Sequence, residues 1–134
     1  MWEEYKKSSD ALIRDIYIGQ GIDSSKFSGS VLYVGLGTCV LPKLQSINVI
    51  KTTIIEIDQA VITWNLSQGN LKKEWVVFCS DAKKFTPDEK FDIIVLSMWF
   101  QPVMAKEVLC MEKKYNMYLK PGGKLLRLNS IIKK

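Results

Sequence analysis

Four stretches of the chain carry residue types able to grip a nucleoside. Gly35-Leu36-Gly37-Thr38-Cys39 sets two glycines at i and i+2 directly after the apolar run Val31–Val34. That spacing lets a backbone turn tightly and approach a ligand closely, and a helix opening next would aim N–H groups at a polar or anionic group. A plain strand-to-helix turn uses the same residues. About 20 residues on, where a carboxylate can accept from ribose hydroxyls, stand Glu56 and Asp58. Alternate strand positions share a face, so Glu56 is the ribose candidate, while Asp58 equally suits the N-cap of a following helix. Asp81, in Ser80-Asp81-Ala82, can accept from an adenine amino group or simply open a loop. Ser97-Met98-Trp99-Phe100-Gln101-Pro102 forms an aromatic lip, with Trp99 and Phe100 either meeting an apolar or planar acceptor or packing under the next helix.

Composition removes several alternatives. The chain has no histidine, which excludes His-based zinc sites and Ser-His or Cys-His catalysis. Its three cysteines, Cys39, Cys79 and Cys110, have no C-x-x-C spacing, and the first two read as small buried hydrophobes. The net charge of +5 comes from dispersed lysine pairs such as Lys72-Lys73, Lys83-Lys84 and Lys113-Lys114. A nucleic-acid surface gathers its charge and interleaves aromatics, so that partner is not expected, although an acidic substrate stays open. The acidic start lacks a following apolar stretch and reads as no secretory signal, and no run is long enough to span a bilayer. The expected setting is a reducing cytoplasm.

The elements that must position these residues follow from periodicity. Residues 1–134 form one expected domain, with residues 1–29 as an N-terminal helix and connector. Leu12, Ile13, Ile16 and Tyr17 share a side of a helix from about Trp2 to Ile18, stopped by Gly19 and Gly21. Strands are predicted at Val31–Gly35, Thr52–Asp58, Trp75–Asp81, Phe91–Ser97 and, after the turn Lys120-Pro121-Gly122-Gly123, at Lys124–Asn129. Helices are predicted from about Cys39 to Ser46, Gln59 to Gln68 and Val103 to Tyr118, with a single turn near Thr86-Pro87-Asp88 making the remaining crossover. Alternating strands and helices imply an α/β fold, a Rossmann-like parallel sheet with helices on both faces. In such sheets ligands sit outside the carboxyl ends of the strands, where all four stretches fall. The dinucleotide fingerprint requires a third glycine at position 40, which is Val40.

The segments VLYVGLGTC, IIEIDQAVI, FCSDAKKF, FDIIVLS and LKPGGKLL resemble, in order and spacing, the successive motifs of class I S-adenosylmethionine-dependent methyltransferases over roughly Val31 to Asn129. IIEIDQAVI is locally similar to the spermidine synthase-like branch. The resemblance implies S-adenosylmethionine as cofactor, with Gly35 and Gly37 against its methionine part, Glu56 at the ribose, Asp81 with Ala82 at the adenine, and Ile57 among the cofactor-binding residues. Tyr33 occupies the place of a common acidic residue of the family and, with Ser97, is a polar candidate near the sulfonium; Trp99 joins Ser97 on the acceptor side. Cys39 replaces a third glycine. The amine-holding carboxylates that aminopropyltransferases carry after strand four are absent, as is the Asn/Asp-Pro-Pro-aromatic motif of amino-directed enzymes. Methyl transfer from a sulfonium needs alignment and exclusion of water rather than a base. A small methyltransferase with an unidentified small-molecule acceptor is therefore expected, ahead of an aminopropyltransferase or a non-catalytic cofactor-binding or partner subunit. The sheet is expected to stop at about five strands, shortened at the C-terminus, leaving a strand-five edge for another protomer, a partner chain or the first helix to cover.

Overall fold

The structure, a computed structural model, describes residues 9–97 and 105–128. Helix α1 (Asp10–Gly19) is opened by Ser9, whose hydroxyl accepts from the Leu12 N–H at 3.1 Å. Its buried face is narrower than the sequence implied, holding Ile13 and Tyr17 while Leu12 stays exposed. After a 3₁₀ turn (Ser24–Lys26) come β1 (Gly29–Val34), α2 (Val40–Lys43), β2 (Val49–Glu56), α3 (Gln59–Ser67), β3 (Val76–Cys79), β4 (Phe91–Leu96), α4 (Ala105–Asn116) and β5 (Leu119–Arg127).

The five strands form one sheet in the order β3-β2-β1-β4-β5, and every pairing is parallel. Both faces of the central strands are covered, which is why they read as unbroken apolar runs. Val31, Tyr33, Ile54 and Val95 pack with Ile13 and Tyr17 of α1, Val40 and Leu41 of α2 and Val61 of α3. The opposite face joins Leu32, Val34, Ile55, Ile94 and Leu96 to Met111 and Tyr115 of α4. The expected α/β architecture with helices on both faces is thus present. Among the described residues no helix is long and apolar enough to cross a membrane.

Three elements differ from the sequence prediction. Helix α2 ends at Lys43 instead of near Ser46, because the Gln45 side chain is drawn inward to accept from the Tyr33 hydroxyl and donate to the Thr52 hydroxyl. The β3–β4 crossover turns at Asp81–Phe85 and not at Thr86-Pro87-Asp88. The Asp81 carbonyl accepts from the N–H groups of both Lys84 and Phe85 at 2.9 Å, and the Phe85 ring lies 4.8 Å from that of Phe78. The Lys120–Gly123 segment is an irregularity inside β5 rather than a turn before it: the pairing steps from Phe91↔Leu119 to Ile93↔Lys124. Gly123 is needed there, since a Cβ would lie 3.0 Å or less from the Asp92 and Lys120 carbonyl oxygens.

Burial along β2 yields a direct test. Ile54 is 0% exposed and Ile50 is 82% exposed. Replacing Ile54 by Ala is expected to cost about 2–5 kcal/mol by urea denaturation, whereas Ile50→Ala stays within about 0.5 kcal/mol. Equal losses would contradict this packing.

Candidate nucleoside-binding site

The chain runs outward from β1 to β2 and β3, then returns to place β4 on the other side of β1. The carboxyl ends of β1 and β4 therefore flank the switch point, where open parallel sheets bind ligands. Gly35 leaves β1 there, its N–H donating to the Ile55 carbonyl at 2.8 Å. Its φ is +102°, and a Cβ would sit 2.1 Å from the Ser97 carbonyl oxygen at the end of β4. Only glycine fits against that neighbour. Gly37 (φ 55°) and Cys39 (φ 67°) are also left-handed, so the turn reverses repeatedly within five residues.

Glu56, the last residue of β2, holds this turn. Its Oε1 accepts from the Leu36 N–H at 2.8 Å and its Oε2 from the Asp58 N–H at 3.0 Å, and the residue is 2% exposed. Burial pushes its carboxyl above the usual range, opposed by the N–H groups of Leu36 and Asp58. From the other side Asn65 of α3 donates to the Gly37 carbonyl at 2.7 Å. Asp58 caps α3 by accepting from the Ala60 N–H at 2.9 Å. The Ser80 N–H donates to the Glu56 carbonyl at 3.0 Å, fixing the exit of β3 beside the end of β2. Asp81 follows immediately. Its Oδ1 accepts from the Lys83 N–H at 2.9 Å, the Lys114 ammonium lies within its electrostatic reach, and among the described residues its other oxygen has no hydrogen bond. Ala82 is held by its carbonyl, which accepts from the Tyr115 hydroxyl at 2.7 Å and the Lys114 ammonium at 2.9 Å.

The strand ends thus gather Gly35, Gly37, Glu56, Asp81, Ala82 and Ser97 along one edge of the sheet. Ile57 lies at the same edge and is exposed. Tyr33 does not join them: it is buried in the core, its hydroxyl donates to Gln45 Oε1 at 2.7 Å, and burial raises its phenol pKa. Ser97 is buried too, with its hydroxyl bonded to that of Tyr17 from α1. Trp99, with Met98 and Phe100, lies outside the described residues. Sequence reading missed Asn65, Tyr17 and Thr38. The first two looked like ordinary helix positions, and only the fold brings them to the strand ends. Thr38 lies inside the glycine motif, and its hydroxyl is buried without a hydrogen-bond partner.

The state of Glu56 sets a pH dependence. Its folded pKa is raised, so above the ordinary glutamate value the folded chain binds more protons than the unfolded one, and stability falls as pH rises through that window. Glu56→Gln lacks this titration. The stability of wild type relative to Glu56→Gln should therefore decline from pH 4 to pH 7 in urea titrations; a difference that grows with pH would contradict the geometry.

No protein-family model matches the sequence, and no curated protein does either. Solved structures do share the fold. The N-methyltransferase NodS from Bradyrhizobium japonicum WM9, in complex with S-adenosyl-L-homocysteine, matches with a TM-score of 0.65 and 15% identity over 92% of this chain and 61% of its own. The DhpI-SAM-HEP complex gives 0.71 and 17% over 92% of this chain and 58% of its own. An S-adenosylmethionine-dependent methyltransferase from Clostridium acetobutylicum ATCC 824 gives 0.65 and 19% over 91% and 51%. The chain spans 51–61% of the length of these three proteins. At such identities the likeness is one of architecture, and the chain has the α/β fold found in these proteins.

Proposed function

We propose that this chain binds S-adenosylmethionine at the carboxyl edge of its sheet and acts as a small methyltransferase on an acceptor still to be identified. One observation carries the reading: a left-handed glycine turn, anchored by a buried carboxylate, stands at the switch point of a fold that methyltransferases share. The turn suits the cofactor chemically. Gly35 keeps it free of side-chain bulk, and residues 35–41 hold no arginine or lysine of their own for a pyrophosphate.

In this reading Gly35 and Gly37 lie along the methionine moiety. Glu56, with Ile57 beside it, takes the ribose through the lone pairs its oxygens retain after accepting two backbone amides. Asp81 receives the adenine amino group on its unpartnered oxygen, and Ala82 completes that subsite. Ser97, beneath Gly35, lines the acceptor side, with Trp99 as the aromatic candidate there. Bound cofactor supplies an activated methyl group on a sulfonium. The chain then has to align the acceptor and exclude water, which requires no base. Aminopropyl transfer has weaker support, because no carboxylate occurs from Ser97 to Pro102 to hold an amine. A cofactor-binding subunit without catalysis is the second reading, favoured by the lack of an acceptor-side carboxylate or Asn/Asp-Pro-Pro-aromatic motif from Ser97 to Pro102.

Calorimetry with S-adenosylmethionine, S-adenosylhomocysteine and methylthioadenosine tests the assignment. Micromolar binding of the first two is expected, with no detectable binding to Gly35→Ala, and with Asp81→Asn weakened about tenfold by loss of a charge-assisted bond. Tighter binding of methylthioadenosine would favour the aminopropyl alternative. No binding of any of the three would overturn the proposal.

A further inference from the structure

The glycine turn has a second anchor whose position neither the motif nor the fold likeness assigns. Asn65 sits on α3, far in sequence from the turn, and is 0% exposed. Its amide nitrogen donates both hydrogens, to the Gly37 carbonyl at 2.7 Å and to the Val61 carbonyl one helical turn back at 2.9 Å. Its amide oxygen accepts from Asn70 Nδ2 at 2.8 Å, which fixes which way the amide faces. The Asn70 backbone closes the circuit: its N–H donates to the Asn65 carbonyl at 3.0 Å, and its carbonyl faces the Cys39 thiol at 3.7 Å. Cys39 is itself left-handed, a strained state for a residue with a side chain.

Glu56 and Asn65 are complementary in sense. The carboxylate can only accept, and it takes the N–H entering the turn at Leu36. The carboxamide donates, and it takes the carbonyl leaving the turn at Gly37. Neither residue type can replace the other, and Asn65 needs both ends of its amide at once. We propose that Asn65 is a positioning residue of the cofactor site, holding the Gly37 carbonyl so that the turn keeps its ligand-ready shape in the free protein. This rests on the reading that the turn receives the cofactor.

Hydrogen exchange on the free protein tests the positioning role without any ligand. In Asn65→Ala the amides of Leu36 and Cys39 should exchange at least ~10-fold faster relative to those of Leu32, Val34 and Ile55 in the strands, since the lost bonds are local. Asn70→Ala, which frees the amide to rotate, should give the same pattern more weakly, and it serves if the first variant fails to fold. Acceleration shared equally by turn and strands, or absent in the turn, would overturn the inference. Calorimetry then reads the link to binding. Asn65→Asp should weaken S-adenosylmethionine about tenfold at pH 8 relative to wild type. Part of that loss should be recovered as pH is lowered and the buried introduced carboxyl takes up a proton, so that it donates again. Comparison with wild type at each pH removes the contribution of Glu56, and Cys39 does not interfere, its thiol being pushed up to about 12 by burial. A pH-independent loss would reduce Asn65 to a packing residue. Failure of wild type to bind while the exchange pattern holds would instead refute the cofactor assignment and leave the positioning of the turn intact.

Discussion

The contact on which the site depends is the carboxylate of Glu56 laid across two backbone amides, one from the glycine turn and one from its own strand exit. A turn with left-handed residues at Gly35, Gly37 and Cys39 has no repeating hydrogen bonds to stabilise it. A left-handed residue with a side chain costs about 1–3 kcal/mol by itself. The turn must therefore be held from outside. A buried ionised group is an expensive holder unless its charge is met by donors, and Glu56 meets that condition through Leu36 and Asp58. Burial raises the pKa of its carboxyl while those bonds lower it.

That contact exists because of the sheet order. β1 and β2 are parallel neighbours in register, Val34 beside Ile55, so the residue after each pair reaches the same edge together. Gly35 can then be bonded by Ile55 while Glu56 reaches Leu36. On the other side β4 brings the Ser97 carbonyl so close to Gly35 that no side chain is tolerated there. The α1 helix joins through the hydroxyls of Tyr17 and Ser97. Packing, register and the chemistry of the edge are thus one arrangement. A shift of β2 by one residue would turn Glu56 to the opposite face of the sheet.

Much of this was legible in the sequence, and the reasons for the rest are physical. Central strands betray themselves because both faces are buried, so Phe91–Leu96 is readable to within a residue and Gly29–Val34 to within two. Of the two roles open to Asp58 in the sequence, the structure shows the helix cap. Tyr33 illustrates the limit: strand alternation puts it on the face covered by α1 and α2, and its hydroxyl found Gln45 across a connection whose path no local pattern specifies. Glu56 is marked as important by its place in the sequence, and its Asp58 partner is local, but its Leu36 partner comes from another strand exit and appears only once β1 and β2 pair. Asn65 gave no signal, since a polar residue in a helix is ordinarily solvated. The extra residues of Lys120–Gly123 read as a turn because glycine and proline mark turns and bulges alike.

In the proposed reading the cofactor binds at a preformed glycine turn at the β1–β4 switch point. Titrating isotopically labelled protein with S-adenosylhomocysteine while following backbone amide resonances addresses it directly. The largest shifts are expected on Gly35, Leu36, Gly37, Asp81 and Ala82. The cavity of about 380 Å³ between α1 and α2, lined by Arg14, Ile18, Ile22 and Leu44, should stay silent. Shifts centred on that cavity, or none anywhere at millimolar ligand, would contradict it.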